Sequence, residues 1–471
     1  MKKVIFLLLD GARRDSLERH LVNGLMPNTK NLIDEGGSLS SAISVFPSTT
    51  GPAYLPFITG LFPGNANMPG IRWFDKVEFS RNRNSLSSHR SYVGVEGLLF
   101  NRDLKKSQAT IFEIVKDSRS IFNEITRGLP NSSDLTRVSK IYHKMKSHFS
   151  GSQVIDNVAS DKMLQSINSD AQFVFCCFLG VDSNSHISGC DSQPVIDSYA
   201  NFDYQLGLII KKLKDLNQFN DTLLIVTSDH GHSNTHSHLD LVGLLSDSGY
   251  KVFSYPLVHK KYLNDLDASV MVSGNSMSHI YLRKDKDWSK SFTFKDSENL
   301  IENLLTYEAI DIVMTRNEKS QIVVNSKKGI ALLEDKETGV LYTPLLNDPF
   351  GYEGIKDFLS YEEVLEQTFD TSYPDALTQI VQIFKSTRCG DIGVSAQTGF
   401  DLRSNFEFPE HKSSHGSLKS DHMNVPLIFN KRVVESKIRT VDLFPTMLDF
   451  LDLECPNKID GIKLEVNELI F

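Results

Sequence analysis

Asp10, Asp182, His186, Asp229, His230 and His415 are side chains that bind divalent cations, and all of them stand in turns or at the ends of apolar runs. In "GVDSNSHISG", Asp182 and His186 are four residues apart, so one helical turn can aim both at one ion. In "SDHGH", Asp229 and His230 are adjacent directly after an apolar run. "LLLDG" supplies Asp10, and "SSHGSLKSDHMNVPLIF" supplies His415 just before Gly416. Six ligands make two sets of three, and mixed carboxylate–imidazole sets suit zinc while leaving positions open for water or substrate. Two ions about 3.5–4 Å apart clamp the attacking and leaving oxygens of a phosphoryl displacement. A nucleophile is available in "VFPSTTGPAYLPFITG", where Ser48, Thr49 and Thr50 precede a helix-like apolar run. A hydroxyl there either caps free backbone N–H groups or attacks as a cation-activated alkoxide. His411 and His422 rival His415, but neither precedes glycine. His232, His236 and His238 in "HGHSNTHSHLD" read as a polar rim or as supports of the ligands rather than as ligands.

Elements that could position these groups recur along the chain. "VIFLLLDG", "AQFVFCCFLGVD" and "TLLIVTSDHG" are continuous apolar runs, the pattern of central strands covered on both faces. Each has an Asp at its carboxyl end, where doubly wound sheets place their sites. Helical patterns such as "SYANFDYQLGLIIKKLKDLNQ" lie between them. The fold class is therefore α/β, a mostly parallel central sheet with helices on both faces. Residues 1–250 and 400–471 form this core, and 251–399 read as a smaller α+β cap insert. Within the core, residues 76–160 hold helices and turns without a firm place.

With 471 residues and 40% hydrophobic content, the chain can bury a sizeable core. A net charge of -9 argues against a nucleic-acid polymer or an anionic membrane as partner. No apolar run reaches the length of a membrane span. "VIFLLL" runs straight into Asp10 and reads as a buried strand rather than a leader. Five cysteines without a CxxC pair fit a reducing compartment, so a cytoplasmic location is expected.

Asp10, "PSTTGP", "DSNSH", "SDHG" and "HGSLKSDHMNVPLI", in this order, resemble the alkaline phosphatase superfamily, and within it the type I phosphodiesterase and nucleotide pyrophosphatase branch. The resemblance covers residues 1–70, 170–240 and 405–465. It implies an alkaline-phosphatase-like core and two divalent ions, zinc, one held by Asp182, His186 and His415 and the other by Asp10, Asp229 and His230. It selects Thr50 as the nucleophile. The implied enzyme is a metal-dependent phosphoric ester hydrolase, a phosphodiesterase or nucleotide pyrophosphatase acting on a small phosphoester or nucleotide. Thr50 attacks phosphorus and expels the leaving group, and water then attacks the phosphothreonine from the opposite side.

Relatives place an Asn about twenty residues after the nucleophile. Here "NMPGIRWFD" has no Asn in register, so Arg72 takes that role, with Trp73 and Phe74 as pocket walls and Asn65 or Asn67 as substitutes. The departure keeps a phosphomonoesterase and a phosphonoacetate-hydrolase-like enzyme as alternatives. The rival from another class is a non-catalytic metal-binding pseudoenzyme, against which all seven candidate residues speak.

Overall fold

The computed structural model of the protein describes residues 1–150, 154–255, 265–403 and 410–467. Past Lys3 the first run has no polar position to turn toward water, so it is stable as a strand only with both faces covered. Lys3–Leu9 is buried along its whole length, inside a seven-stranded sheet. The order is Lys437–Arg439, Ser38–Ile43, Asn424–Phe429, Thr222–Thr227, Lys3–Leu9, Phe173–Phe178, Ser118–Ile121. Asn424–Phe429 alone runs against its neighbours, so the sheet is mostly parallel as expected. Leu9 pairs with Phe178 and Leu8 with Thr227, so three parallel strands end side by side. That carboxyl edge is where Asp10, Asp182 and Asp229 emerge.

Residues 76–160 now have a place. They supply the edge strand Ser118–Ile121, parallel to Phe173–Phe178, and the start of the helix Val154–Ile167. The expected helix before Thr222–Thr227 spans Gln193–Asp215, and Leu443–Phe450 closes the core. Among the described residues no helix is long and apolar enough to cross a membrane.

Residues 251–399 build a nine-stranded sheet, two strands more than the core sheet. Short hairpins such as Ile322–Ser326 with Ile330–Lys336 are legible one at a time, but the edges they share are not. Nor does this sheet sit apart from the core. Ile43, Phe46, Leu418 and Met423 from the core share an apolar cluster with its strands and helices. The helix Ala376–Phe384 is buried at every position. Its Gln379 accepts the Phe46 N–H at 2.9 Å and its Gln382 donates to the Phe46 carbonyl at 2.6 Å. Just before this helix, Asp375 takes Arg439 Nε at 2.8 Å and Nη2 at 2.7 Å. Both side chains of that pair are almost wholly buried.

Removing the carboxylate would strand the guanidinium where water cannot solvate it. Asp375→Ala should cost about 3–5 kcal/mol of stability, read from denaturant unfolding curves.

Candidate active site and metal centre

The sheet edge brings the sequence candidates together. Asp182 and His186 lie one turn apart on the helix Gly180–Ser188, with His186 Nε2 3.4 Å from Asp182 Oδ1. His230 Nε2 is 3.5 Å from Asp10 Oδ1 and 3.4 Å from Asp229 Oδ2. The His230 and His415 rings stack at 3.8 Å, which joins the two groups. Ligand atoms of Asp182, His186, His232 and His415 all lie within 4.8 Å of one another, as do those of Asp10, Asp182 and His230. Asp182 thus sits between the two implied sets and belongs to both groupings.

Thr50 Oγ1 is 3.0 Å from His230 Nε2 and 3.4 Å from Asp10 Oδ1. The other two hydroxyls face elsewhere: Ser48 donates to the Ser417 carbonyl, and Thr49 Oγ1 is buried without a partner. Neither Pro52–Tyr54 nor Leu55–Thr59 receives a side-chain cap. The capping alternative for this turn therefore fails.

The donor set fits metal ions on two counts. Nδ1 of His186, His230 and His415 each lies 3.0–3.1 Å from a backbone carbonyl, of Ser413, Gly231 and Ser48 respectively. A carbonyl can only accept, so each Nδ1 carries the proton and each Nε2 keeps its lone pair for a cation. The second count is spacing. Arms of about 2.0–2.1 Å at a tetrahedral centre put neighbouring ligand atoms about 3.3–3.4 Å apart. The 3.4–3.5 Å separations around His186 and His230 match that edge.

His232 is different. Its Nε2 is 2.8 Å from Asp182 Oδ1, a hydrogen-bond length shorter than a coordination edge, and its Nδ1 has no partner. This geometry fits a donor that orients Asp182 better than a fourth ligand.

Electrostatics point the same way. Burial first, then the Asp229 and Asp182 carboxylates, push Asp10 well above the usual carboxylate range. Burial and Asp182 take Asp229 up to about 7. Burial also opposes ionisation of Asp182, but His186 and His232 hold it well below that range. Burial lowers His230 and takes His232 down to about 3. It also holds His415 well below the ordinary value, with His230, His232 and His186 adding to the effect. Neutral imidazoles among crowded carboxylates are the state that cations select.

Some supports were not singled out from the sequence. Tyr54, within the apolar core, donates its hydroxyl to Asp10 Oδ2 at 3.0 Å, and Cys177 Sγ lies 3.2 Å from the same hydroxyl. The available signal was spacing: Tyr54 follows Thr50 by one helical turn. Asp156 Oδ1 accepts the Leu179 and Gly180 N–H groups at 2.8 and 3.1 Å, fixing the start of the helix that carries Asp182 and His186.

Other expectations need correction. Trp73 and Phe74 do not wall a pocket; both are wholly buried, Trp73 under the Arg388 guanidinium and Phe74 against Phe253, Tyr281 and Trp288. Asn65 binds Asp460, and Asn67 Oδ1 accepts from Ser386 and Thr387, so neither substitutes for the missing Asn. Arg72 remains partly exposed, and the nearby Asp75 faces Arg388. Asp75 also caps Lys76–Arg81.

Sheet order and strand-end carboxylates together make an alkaline-phosphatase-like α/β fold. The family model for type I phosphodiesterase / nucleotide pyrophosphatase matches residues 4–418, and the chain belongs to that family of metal-dependent phosphoester hydrolases. Among curated proteins none matches. Among solved structures, murine ectonucleotide pyrophosphatase / phosphodiesterase 5, an inactive form in complex with AMP, is similar. It is 16% identical, with 98% of this chain and 97% of that one covered and a TM-score of 0.59. Phosphonoacetate hydrolase from Sinorhizobium meliloti 1021, in complex with phosphonoformate, is 17% identical over 94% of each chain, with a TM-score of 0.55. At such identities the likeness is one of fold.

Two outcomes follow from the geometry. Without cations, folded protein keeps the Asp229 proton that unfolded chain releases above about pH 4, so this group makes stability fall as pH rises from about 4 to 7. In chelator, melting temperature should show that fall, and Asp229→Asn should flatten it relative to wild type. His232→Ala should weaken cation binding about 10- to 100-fold, measured by competition with a metal-binding dye.

Proposed function

We propose that the protein is a two-metal phosphodiesterase or nucleotide pyrophosphatase that works through a phosphothreonine on Thr50. The observation that carries this reading is the Thr50 hydroxyl beside His230 and Asp10, whose ligand atoms cluster with those of Asp182. Asp182, His186 and His415 would hold one divalent ion, zinc by the chemistry of the donor set, and Asp10, Asp229 and His230 the other. Such ions lower the pKa of the attacking hydroxyl and neutralise charge on the transferring phosphoryl group. The chain does the rest. Gly231, Ser48 and Ser413 carbonyls hold the three imidazoles in the tautomer that leaves Nε2 free. Tyr54 and His232 fix the Asp10 and Asp182 carboxylates.

Thr50 Oγ forms its bond to phosphorus as the bond to the leaving oxygen breaks, and water then cleaves the Thr50 ester from the opposite side. In this reading Arg72 is the substrate contact. All five cysteines are unpaired, which supports the cytoplasmic reading.

The test compares a nitrophenyl monoester with bis-nitrophenyl phosphate, with and without chelator, for wild type and Thr50→Ala. Wild type should favour the diester by more than about tenfold, or about 1.4 kcal/mol. Chelator and Thr50→Ala should each abolish turnover. A smaller preference returns the phosphomonoesterase reading.

A further inference from the structure

Gly274 is where the insert touches the site. A Cβ there would lie 2.9 Å from His415 Nδ1 and 3.0 Å from Thr49 Cβ, and its φ of +63° suits glycine. Two arginines hang on the turn around it. On one side, the Arg72 N–H donates to Ser273 Oγ at 3.4 Å. On the other, the Leu402 N–H donates to the Asn275 carbonyl at 2.8 Å, which places Arg403 next in the chain. Alternate residues of a strand share a face, so Arg72 and Phe74 of Arg72–Phe74 point the same way. Phe74 is sealed by Phe253, Tyr281 and Trp288, and Arg72 starts the strand, beside Ser273 of the Gly274 turn.

The two guanidinium groups differ in what they hold. Arg403 grips Asp401 through Nε at 2.9 Å and Nη2 at 2.7 Å. Arg72 has Ser91 Oγ on Nε at 3.3 Å and the Tyr255 ring 5.9 Å away, and it makes no ion pair among the described residues. Glu96, the carboxylate nearby, is engaged by the Ser91 N–H and the Tyr255 hydroxyl, both at 3.1 Å. Burial and the charge of Arg403 pull the Arg72 guanidinium down to about 10, so it stays cationic at neutral pH. A partly buried guanidinium near a second one, with its Nη donors unused among the described residues, matches a carboxylate or phosphate in geometry and in charge.

We propose that Arg72, supported by Arg403 and Tyr255, is a subsite for a second anionic group of the substrate, carboxylate or phosphate, distinct from the phosphoryl group that meets Thr50. The inference rests on the proposed function and deepens it: the substrates are phosphoesters that carry a further anion beyond the scissile phosphorus.

The test is binding, so that it does not depend on turnover. Zinc-loaded Thr50→Ala protein is titrated calorimetrically with three diesters: nitrophenyl ethyl phosphate and its carboxyethyl and phosphonoethyl counterparts. At least one charged arm should bind about tenfold more tightly than the neutral one, and Arg72→Gln in the same background should cut that advantage below about threefold. Arg72→Met serves if the Gln variant does not fold. Which arm binds better identifies the anion. Equal affinity for all three esters, or an advantage that survives loss of the guanidinium, overturns the subsite. Failure of the zinc-loaded wild type to hydrolyse any diester overturns the proposed function instead, because the binding result is read separately.

Discussion

Three carboxylates in one water-poor volume set the terms for the rest of this molecule. Asp10, Asp182 and Asp229 come from three neighbouring strand ends, and the first and last of them are wholly buried. Like charges so placed cannot all ionise without compensation, and burial raises the cost further. The surrounding imidazoles do not supply that compensation as cations: burial lowers His230, His232 and His415 toward the neutral form. Divalent ions do. Nε2 of His186, His230 and His415 is left with a lone pair because a backbone carbonyl fixes the proton on the other nitrogen. Metal dependence in this family thus has a local cause in the way the chain is folded around the acids.

That cause explains what was legible in the sequence. A carboxylate at the end of a buried parallel strand is written in consecutive residues, so Asp10 and Asp229 could be read from "LLLDG" and "SDHG". Asp182 and His186 could be read from helical spacing, because four residues make one turn. His415 and Thr50 were different. Their chemistry depends on contacts across hundreds of residues, and the sequence alone left His411, His422, Ser48 and Thr49 as rivals. The resemblance chose among them, and the structure gives the physical discriminants: a carbonyl behind His415 Nδ1, and a hydroxyl of Thr50 that faces ligands while Thr49 does not.

What was not legible shares one feature: it is set by partners from the insert or from residues 76–160. Trp73 and Phe74 sit beside a candidate substrate contact in sequence, yet they pack against distant aromatic rings. Asp156 lies in a stretch with no motif, yet its carboxylate closes the first turn of the helix that presents two ligands. Sheet width in the insert was hidden for the same reason, since strand pairing is a relation between segments rather than a property of one.

The insert is therefore more than a cover over the core. Gln379 and Gln382 hold both polar groups of the Phe46 peptide, four residues before the nucleophile. Gly274 closes on Thr49 and on His415 from another side. The insert thus packs against the turn that carries Thr50 and against His415. A side chain at Gly274 would need a backbone conformation that L-residues disfavour and would press on two site residues at once. Recognition can vary at Arg72, whose guanidinium still has donors to spare, while the turn beside it must stay as it is. In the proposed enzyme, recognition and reactivity would meet at that turn.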